Sequence, residues 1–499
     1  MPLIDFPPGV VNFSSRKKNT GNWREVNLVR WDGPTLLPVG GWSKVNYTAF
    51  ASPVRTIHSW GTIAGARYTA FLCEEHCYVD VGDGILLDIT PVDGLEPPPA
   101  IQDGGYGDED YNEGLFGTPR TGQDRGILVT YCFTVDNWGE DLRVMTSVDG
   151  RLLGWSPSTP GTKLQAVANA PVSNRSFLVT PERFIVIFGA GGVPHRFQWC
   201  DQENDTVWNA LSTTKAGEFD IQPMSAIVTA KLAPNGILVF TTRSSYLVSF
   251  VGLPYVYSCS EVSECQSPYS YASAVRIPDG LLWVAPNGFW LFNGSSIAPV
   301  SCPIWDWIKS RISLDVSRRL SAMVTIPTAF EVWWFFSTGN EGVKNDTVVI
   351  FNYNSGAWSM GKINRQCGVS SANDYTPLMS DGVNVYSHET GNAYPGAPEL
   401  PWAESYTLSI DTGSRMATIK QMLPEFIGDN TGVEFILIKN NNPSSVSDEL
   451  LSAPKRIRSN GYVDVRETAR NFRLRVKATK TGRWSLGPVE IDIAARGMK

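Results

Sequence analysis

The densest set of reactive side chains lies in FLCEEHC, residues 71–77, where Cys73, Glu74, Glu75, His76 and Cys77 crowd two thiols, two carboxylates and an imidazole into five positions. Zinc takes such ligands, but a structural zinc site usually needs four of them at characteristic spacing. No second cysteine pair lies near in sequence. The stretch is expected to be a polar turn between two strands. A second cluster, GDEDYNEG at 107–114, places Asp108, Glu109, Asp110 and Glu113 together as a calcium loop does. An EF-hand loop requires Gly at its sixth place and Glu at its twelfth. Counted from Asp108, those places hold Glu113 and Pro119, so the pattern fails. The acidic loop is expected to be exposed, as a subunit contact or a lumen-facing loop.

SVDGRLLGW at 147–155 begins like the aspartate box S-x-D-x-G-x-T-W of sialidase propellers. Gly150 comes one place early, the Thr is missing and Trp155 comes one place late. Glycoside hydrolysis also needs two carboxylates flanking the sugar bond, and the sequence nominates no such pair. GxSxG, HExxH and P-loop patterns are absent. The four histidines, His58, His76, His195 and His388, show no nucleophile–base arrangement. No catalytic residue, metal ligand or cofactor-binding residue is assigned, no cofactor is expected, and the chain is not expected to be an enzyme.

The elements that would position any such group are hairpins. In DGLLWVAPNGFWLFNGSS at 279–296, two apolar runs flank Asn287-Gly288, a dipeptide suited to the positive φ of a tight hairpin turn. Similar units occupy 143–155, 183–199, 235–252 and 330–360. Their outgoing strands end near Trp155, Trp199, Phe250, Phe292, Trp358 and His388, on average about 45 residues apart, the length of a four-stranded propeller blade. NLVRWDGPTLLPVGGW, residues 27–42, reads as a strand–turn–strand entry with Trp31 and Trp42 as packing anchors; Arg30 and Asp32 could pair there, to little effect if exposed. One helix is expected after Pro303, with Trp305, Ile308 and Ile312 on one face, as a connector packed on the β core.

Near residue 400 the pattern changes. GNAYPGAPELPW reads as a linker, and five strand patterns follow. In 472–477, Phe472, Leu474 and Val476 alternate with Arg473, Arg475 and Lys477, giving one apolar and one basic face. The fold expected is all-β: an irregular β-propeller over 1–399, including an N-terminal arm and the acidic loop at 103–114, then a small β-sandwich-like domain over 400–499. The basic strand is expected to be solvated or to face a partner. A chain cut near residue 400 is expected to leave a folded propeller.

Charged residues make up 18% of the chain, below the usual ~25%, and the net charge is −7. Specific nucleic-acid binders are usually basic, because neutralising phosphate supplies much of their affinity. A conduit that DNA slides through has the opposite need. The eight cysteines form no CxxC pair. The N-terminus does not read as a secretion signal, and no apolar run is long enough for a membrane span. Synthesis in the cytoplasm, without membrane insertion, is therefore expected.

In order along the chain, NLVRWDGPTLLPVGGW, TVDNWGEDLRV, VTPERFIVIFGAGG, RFQWCDQENDTVWNA, YLVSFVGLPYVYS, PNGFWLFNG, EVWWFF, IFNYNSGAWSMG and RNFRLRVKATKTGRWSLGPVEIDI resemble the β-propeller tail hub or nozzle proteins of short-tailed phages, which are related to packaged-DNA stabilisation proteins. The resemblance spans nearly the whole chain and carries no catalytic motif. It implies a virion protein forming a homohexameric ring below the portal and its adaptor (head-completion) ring. That ring would extend the exit channel for double-stranded DNA without reading its sequence, help retain the genome, and carry a tail fibre or needle. An acidic or neutral channel wall goes with this. Two other readings are a carbohydrate-acting propeller, glycosidase or depolymerase, and a receptor-binding protein at the tail tip.

Overall fold

Three hairpins share one turn chemistry: Pro234-Asn235-Gly236, Pro278-Asp279-Gly280 and Pro286-Asn287-Gly288. In the computed structural model each proline opens a two-residue loop and each glycine starts the returning strand, with pairs Ala233↔Gly236, Ile277↔Gly280 and Ala285↔Gly288. The Asn287-Gly288 turn is therefore shifted one residue from the sequence expectation. The proline ring presets φ for the first loop position, which leaves the glycine as the first strand residue. Gly280 takes φ +146° and Gly288 +140°. A Cβ on Gly280 would strike the carbonyl oxygen of Phe292, whereas one on Gly288 would meet open space.

The structure describes residues 2–12, 21–47, 49–96, 133–263, 267–313, 321–339, 344–370, 376–408, 416–441 and 449–495. Among these, seven four-stranded antiparallel sheets form the blades of a propeller. Blade 1 runs from Val54–Gly61 to Leu86–Asp88, blade 2 from Phe133–Trp138 to Gln165–Ala166, and blade 3 from Ser176–Val179 to Gly217–Asp220. Blade 4 runs from Ile227–Ala233 to Val256–Ser263, blade 5 from Ala274–Ile277 to Ile297–Val300, and blade 6 from Ala322–Ile326 to Trp358–Lys362. The first strands of successive blades pack side by side, and that of blade 7, Cys367–Val369, returns to that of blade 1. Blade 7 is completed out of order: its fourth strand is Trp42–Lys44, paired with Val385–His388.

The remaining strands form a two-sheet sandwich. One sheet orders Trp23–Asn27, Trp402–Ser405, Asn471–Ala478, Val433–Asn440 and Leu450–Leu451. The other orders Val29–Asp32, Thr35–Pro38, Trp484–Ala495, Ala417–Gly428 and Val463–Ala469, with Leu3–Ile4 also on Trp484–Ala495. The division expected at 399/400 does not match this pairing, because the N-terminal strands complete the C-terminal sheets. Nor is the sandwich a separable unit. Its buried side chains, among them Ile419, Phe435, Val476 and Ile491, share one continuous core with Phe289, Trp334 and Trp358 of blades 5 and 6. A cut near 400 would uncover those rings. The expected helix is one short turn, Trp305–Lys309, whose Ile308 enters the same core.

The N-terminal phrase supplies the joint. Asp32↔Thr35 closes its hairpin around Gly33-Pro34. Gly40 and Gly41 are a close crossing rather than a stop, because a Cβ on either would collide with Glu389 or with the backbone at 392–393. Trp31 is buried in the sandwich core and Trp42 in the core between blades 6 and 7. Arg30 does not pair with Asp32. Its Nη1 donates to Glu389 Oε2 at 2.7 Å and its Nη2 to Glu331 Oε2 at 2.8 Å. Glu331 also accepts from Trp333 Nε1 at 2.8 Å. Burial pushes the Glu331 carboxyl up, and the Arg30 charge opposes that rise.

Two measurements follow. In Arg30→Gln the counter-charge is gone, so Glu331 keeps a proton in the folded chain that the unfolded chain releases above about pH 4.3. The folded state then binds more protons, and stability falls as pH rises toward neutrality. Urea unfolding should show a loss of about 3 kcal/mol at pH 7 and a smaller one near pH 4.5; an equal loss at both would contradict the buried-charge account. For the turns, Gly280→Ala should cost about 2 kcal/mol more than Gly288→Ala, since both pay the backbone term and only the first adds a clash. Equal midpoints would refute that.

Candidate functional site

The strand Asn471–Ala478 buries Phe472, Leu474, Val476 and Ala478 and turns Arg473, Arg475 and Lys477 to the other face, in the register the sequence alternation predicts. Its neighbour in the sheet is Trp402–Ser405, which sets Glu404 opposite Arg475. Glu404 is only 2% exposed and gathers three guanidinium groups. It accepts from Arg475 Nε at 2.8 Å and Arg24 Nη1 at 3.2 Å, and lies 3.3 Å from Arg473 Nε. Arg473 also makes a two-pronged pair with Glu449, at 3.0 and 2.6 Å. Two of the three cations expected to face a partner are thus neutralised by carboxylates of the sandwich itself. Lys477 is exposed.

Arg475 and Lys477 line a cleft of about 700 Å³ between the sandwich and blade 6. Trp307 and Arg311, at the end of the short helix, form one wall, with the guanidinium 4.5 Å from the indole centroid. Asp346 and Lys362 come from blade 6, and Glu25, Glu399 and Trp402 from the sandwich side. Burial works against ionisation of Glu399. The hydrogen bond from Trp402 Nε1, 2.7 Å long, and the charge of Lys362 outweigh it and hold the carboxyl below its usual range. The cleft's two hydroxyls, Thr338 and Thr347, both donate to Asp346. The lining is thus mainly charged side chains and indole rings.

Asp108, Glu109, Asp110 and Glu113 lie outside the described residues. FLCEEHC spans the turn between Arg67–Cys73 and Cys77–Asp80, where Cys73 N donates to His76 O at 2.8 Å. The two thiols enter different cores on either side of the blade, so they do not converge on one point. Glu74 is paired with Arg55 at 2.6 Å.

The sequence did not single out a polar seam between the first strands of the blades. His58 Nε2 of blade 1 lies 2.6 Å from Asn137 Oδ1 of blade 2, so with the amide placed this way Nε2 carries the proton. Asp136 accepts from Val179 N of blade 3 at 2.9 Å. Burial pushes the Asp136 carboxyl up and the His58 imidazole down, so both lean toward the neutral form. Lys231 of blade 4 stands 3.4 Å from the Tyr271 ring centroid. The only trace in sequence is a polar residue at the same depth in consecutive first strands.

No family model matches the chain, and no curated protein matches it. Among solved structures it is similar to a catalytically inactive virginiamycin B lyase from Staphylococcus aureus, at 11% identity over 70% of this chain and 98% of that one, with a TM-score of 0.40. It is also similar to the Pan2 WD40 domain of Neurospora crassa, at 9% identity over 71% and 97%, TM-score 0.40. The Cps50 (Swd1) β-propeller domain of Myceliophteria thermophila gives 10% identity over 69% and 99%, TM-score 0.38. These proteins differ in function from one another, and no activity is carried over from them.

Because Glu404 balances three buried or half-buried cations, Glu404→Gln should destabilise the chain by about 3 kcal/mol in urea. Lys477→Ala, an exposed cation, should change stability by less than about 0.5 kcal/mol. A larger loss at Lys477 than at Glu404 would show that the assignment of the ion pairs is wrong.

Proposed function

We propose that this chain is a non-enzymatic structural subunit of a short-tailed phage tail hub or nozzle, located in the virion tail. In this reading copies assemble as a homohexameric ring below the portal and adaptor. The ring extends the DNA exit channel, retains the packaged genome, and guides its ejection. Its partners are itself, the adaptor or head-completion ring, a tail fibre or needle, and passing double-stranded DNA contacted without sequence specificity. It requires no cofactor and does not insert into a membrane.

The observation that carries this reading is where the resembling phrases fall. Arg30 of the first phrase grips Glu331 of EVWWFF. Trp358 of IFNYNSGAWSMG shares a core with Phe472, Leu474 and Val476 of the last phrase. The first phrase, EVWWFF, IFNYNSGAWSMG and the last phrase therefore meet where the propeller joins the sandwich, while four others lie in blades 2 to 4. A conduit under load needs such a rigid block, and four-stranded blades suit it by leaving short, protected edges. Ring subunits meet head to tail through two different patches. The cleft beside Lys477 offers one attachment surface of mixed charge.

Electron microscopy of virions and of the concentrated purified protein should show sixfold rings with a central opening. A monomer at high concentration that is absent from virions would overturn the proposal. Release of sugars from host capsule, lost on changing a single carboxylate, would favour the carbohydrate-acting reading instead.

A further inference from the structure

Among the described residues, most of the blade edges are guarded. Unpaired edge strands invite pairing with another chain, and folded proteins blunt them by shortness, charge, proline or cover. The outer strands of blades 1, 2 and 7 are two or three residues long. That of blade 3, Gly217–Asp220, carries Glu218 and Asp220, and that of blade 5, Ile297–Val300, contains Pro299. Blade 6's outer strand is covered by the N-terminal phrase, with Leu28 N on Met360 O and Ser359 Oγ on Val29 O. In the sandwich, the edge Val463–Ala469 bears Asp464, Arg466 and Glu467, and Arg466 is left-handed at φ +56°.

Blade 4 is the exception. Its outer strand, Val256–Ser263, has eight residues, no proline and one charge, Glu261, with a left-handed residue only at its start, Val256 at φ +60°. Among the described residues it is paired only with Ser245–Gly252, in unbroken register from Tyr257 to Glu261. Ser258 and Ser260 are exposed on it. The same hairpin ends in a bare apolar tip: Phe250, Val251, Leu253 and Tyr255 are 42, 55, 68 and 77% exposed. No charged residue occurs from 244 to 260.

We infer that this edge is a two-fold contact, where Val256–Ser263 pairs antiparallel with the same strand of a second copy about the Ser258-Cys259-Ser260 run. Three features point to a second copy. The strand at the centre must be small and neutral on both sides, and this one is. Pairing about Cys259 sets Glu261 opposite Tyr257, so no like charges meet. A chain of net charge −7 repels itself elsewhere, and a long uncharged stretch is where two copies can approach. Strand edges alone fall short of the ~1,200–2,000 Å² that a stable interface buries. Antiparallel pairing about Cys259 sets Tyr255 opposite Ser263, so each exposed apolar tip lies at the end of the partner strand and adds apolar area. This contact does not rest on the ring reading. A head-to-tail ring uses two different patches, whereas this contact uses one patch twice.

The test is sedimentation velocity and hydrogen exchange on the full chain across a hundredfold concentration range. A species of twice the mass should appear, and amides 257–261 should exchange at least tenfold more slowly in it. The double variant Ser258→Lys/Ser260→Lys should halve that mass and remove the protection at an unchanged Tm, while Ser158→Lys, on an exposed turn, should change neither. If the double variant unfolds, the concentration dependence of exchange in the unaltered chain decides alone. Concentration-independent exchange, an assembly indifferent to both lysines, or protection that appears only when a different protein is added would each overturn the inference. Sixfold rings that persist in the double variant leave the ring proposal standing. Concentration-independent exchange in the unaltered chain, with no rings under any condition, sinks both.

Discussion

A propeller closes only if its last blade is held to its first, and here the hold is a strand of three residues, Trp42–Lys44, on the outside of blade 7. Three ladder positions are few for seven sheets. The closure depends on what surrounds them. Trp42 stacks on His388 at 4.9 Å, meets Tyr394 edge-on at 5.1 Å, and donates from Nε1 to Pro395 O at 2.8 Å. Twelve positions earlier Arg30 reaches two carboxylates, one at the start of a blade 6 strand and one just after blade 7's third strand. A buried ion pair adds little against a well-packed apolar substitute, yet breaking one side of it is expensive. Its value here is register. A single placement of the N-terminal phrase satisfies both glutamates, buries both tryptophans and lets Gly40 and Gly41 pass the returning chain.

That constraint propagates into the sandwich. The segment that closes the propeller is the same segment whose preceding strands complete the two C-terminal sheets. The chain therefore leaves and re-enters the sandwich around the whole propeller, and the two bodies fold as one. The continuous core from Phe289 and Trp334 to Phe435 and Ile491 is the packing consequence. Sliding the sandwich on blades 5 and 6 would pull Arg30 from its carboxylates and unseat Trp42 together.

Much of this was legible in the sequence because it is local. Period-two alternation at 472–477 announced which side chains are buried, and Asn287-Gly288 announced its hairpin. The offset of that turn by one residue is also local chemistry, since Pro286 takes the first loop position. Pairing between distant segments was not legible. Nothing in Trp42-Ser43-Lys44 says that its partner lies near residue 387, and nothing in Arg30 names Glu331 and Glu389. The domain division failed for the same reason: composition changes at 400, but sheets are assembled by register across hundreds of residues. The seam of His58, Asn137 and Asp136 escaped notice because it is built from single residues on separate strands.

The basic strand shows how this limit bears on function. A row of cations on an alternating strand reads as a surface for an acidic partner only while its neighbour in the sheet is unknown. Once Trp402–Ser405 is placed beside it, Glu404 answers Arg24, Arg473 and Arg475 together, and the row becomes an internal lock with one exposed cation, Lys477, at its end. Charge on a strand face is cheap to satisfy from within, because cross-strand neighbours are about 5 Å away. Backbone hydrogen-bonding groups on an outer edge have no such internal remedy, since only another strand or solvent can meet them. In a β protein whose face charges are largely self-balanced, the unguarded edge is therefore the more informative sign of where another chain belongs.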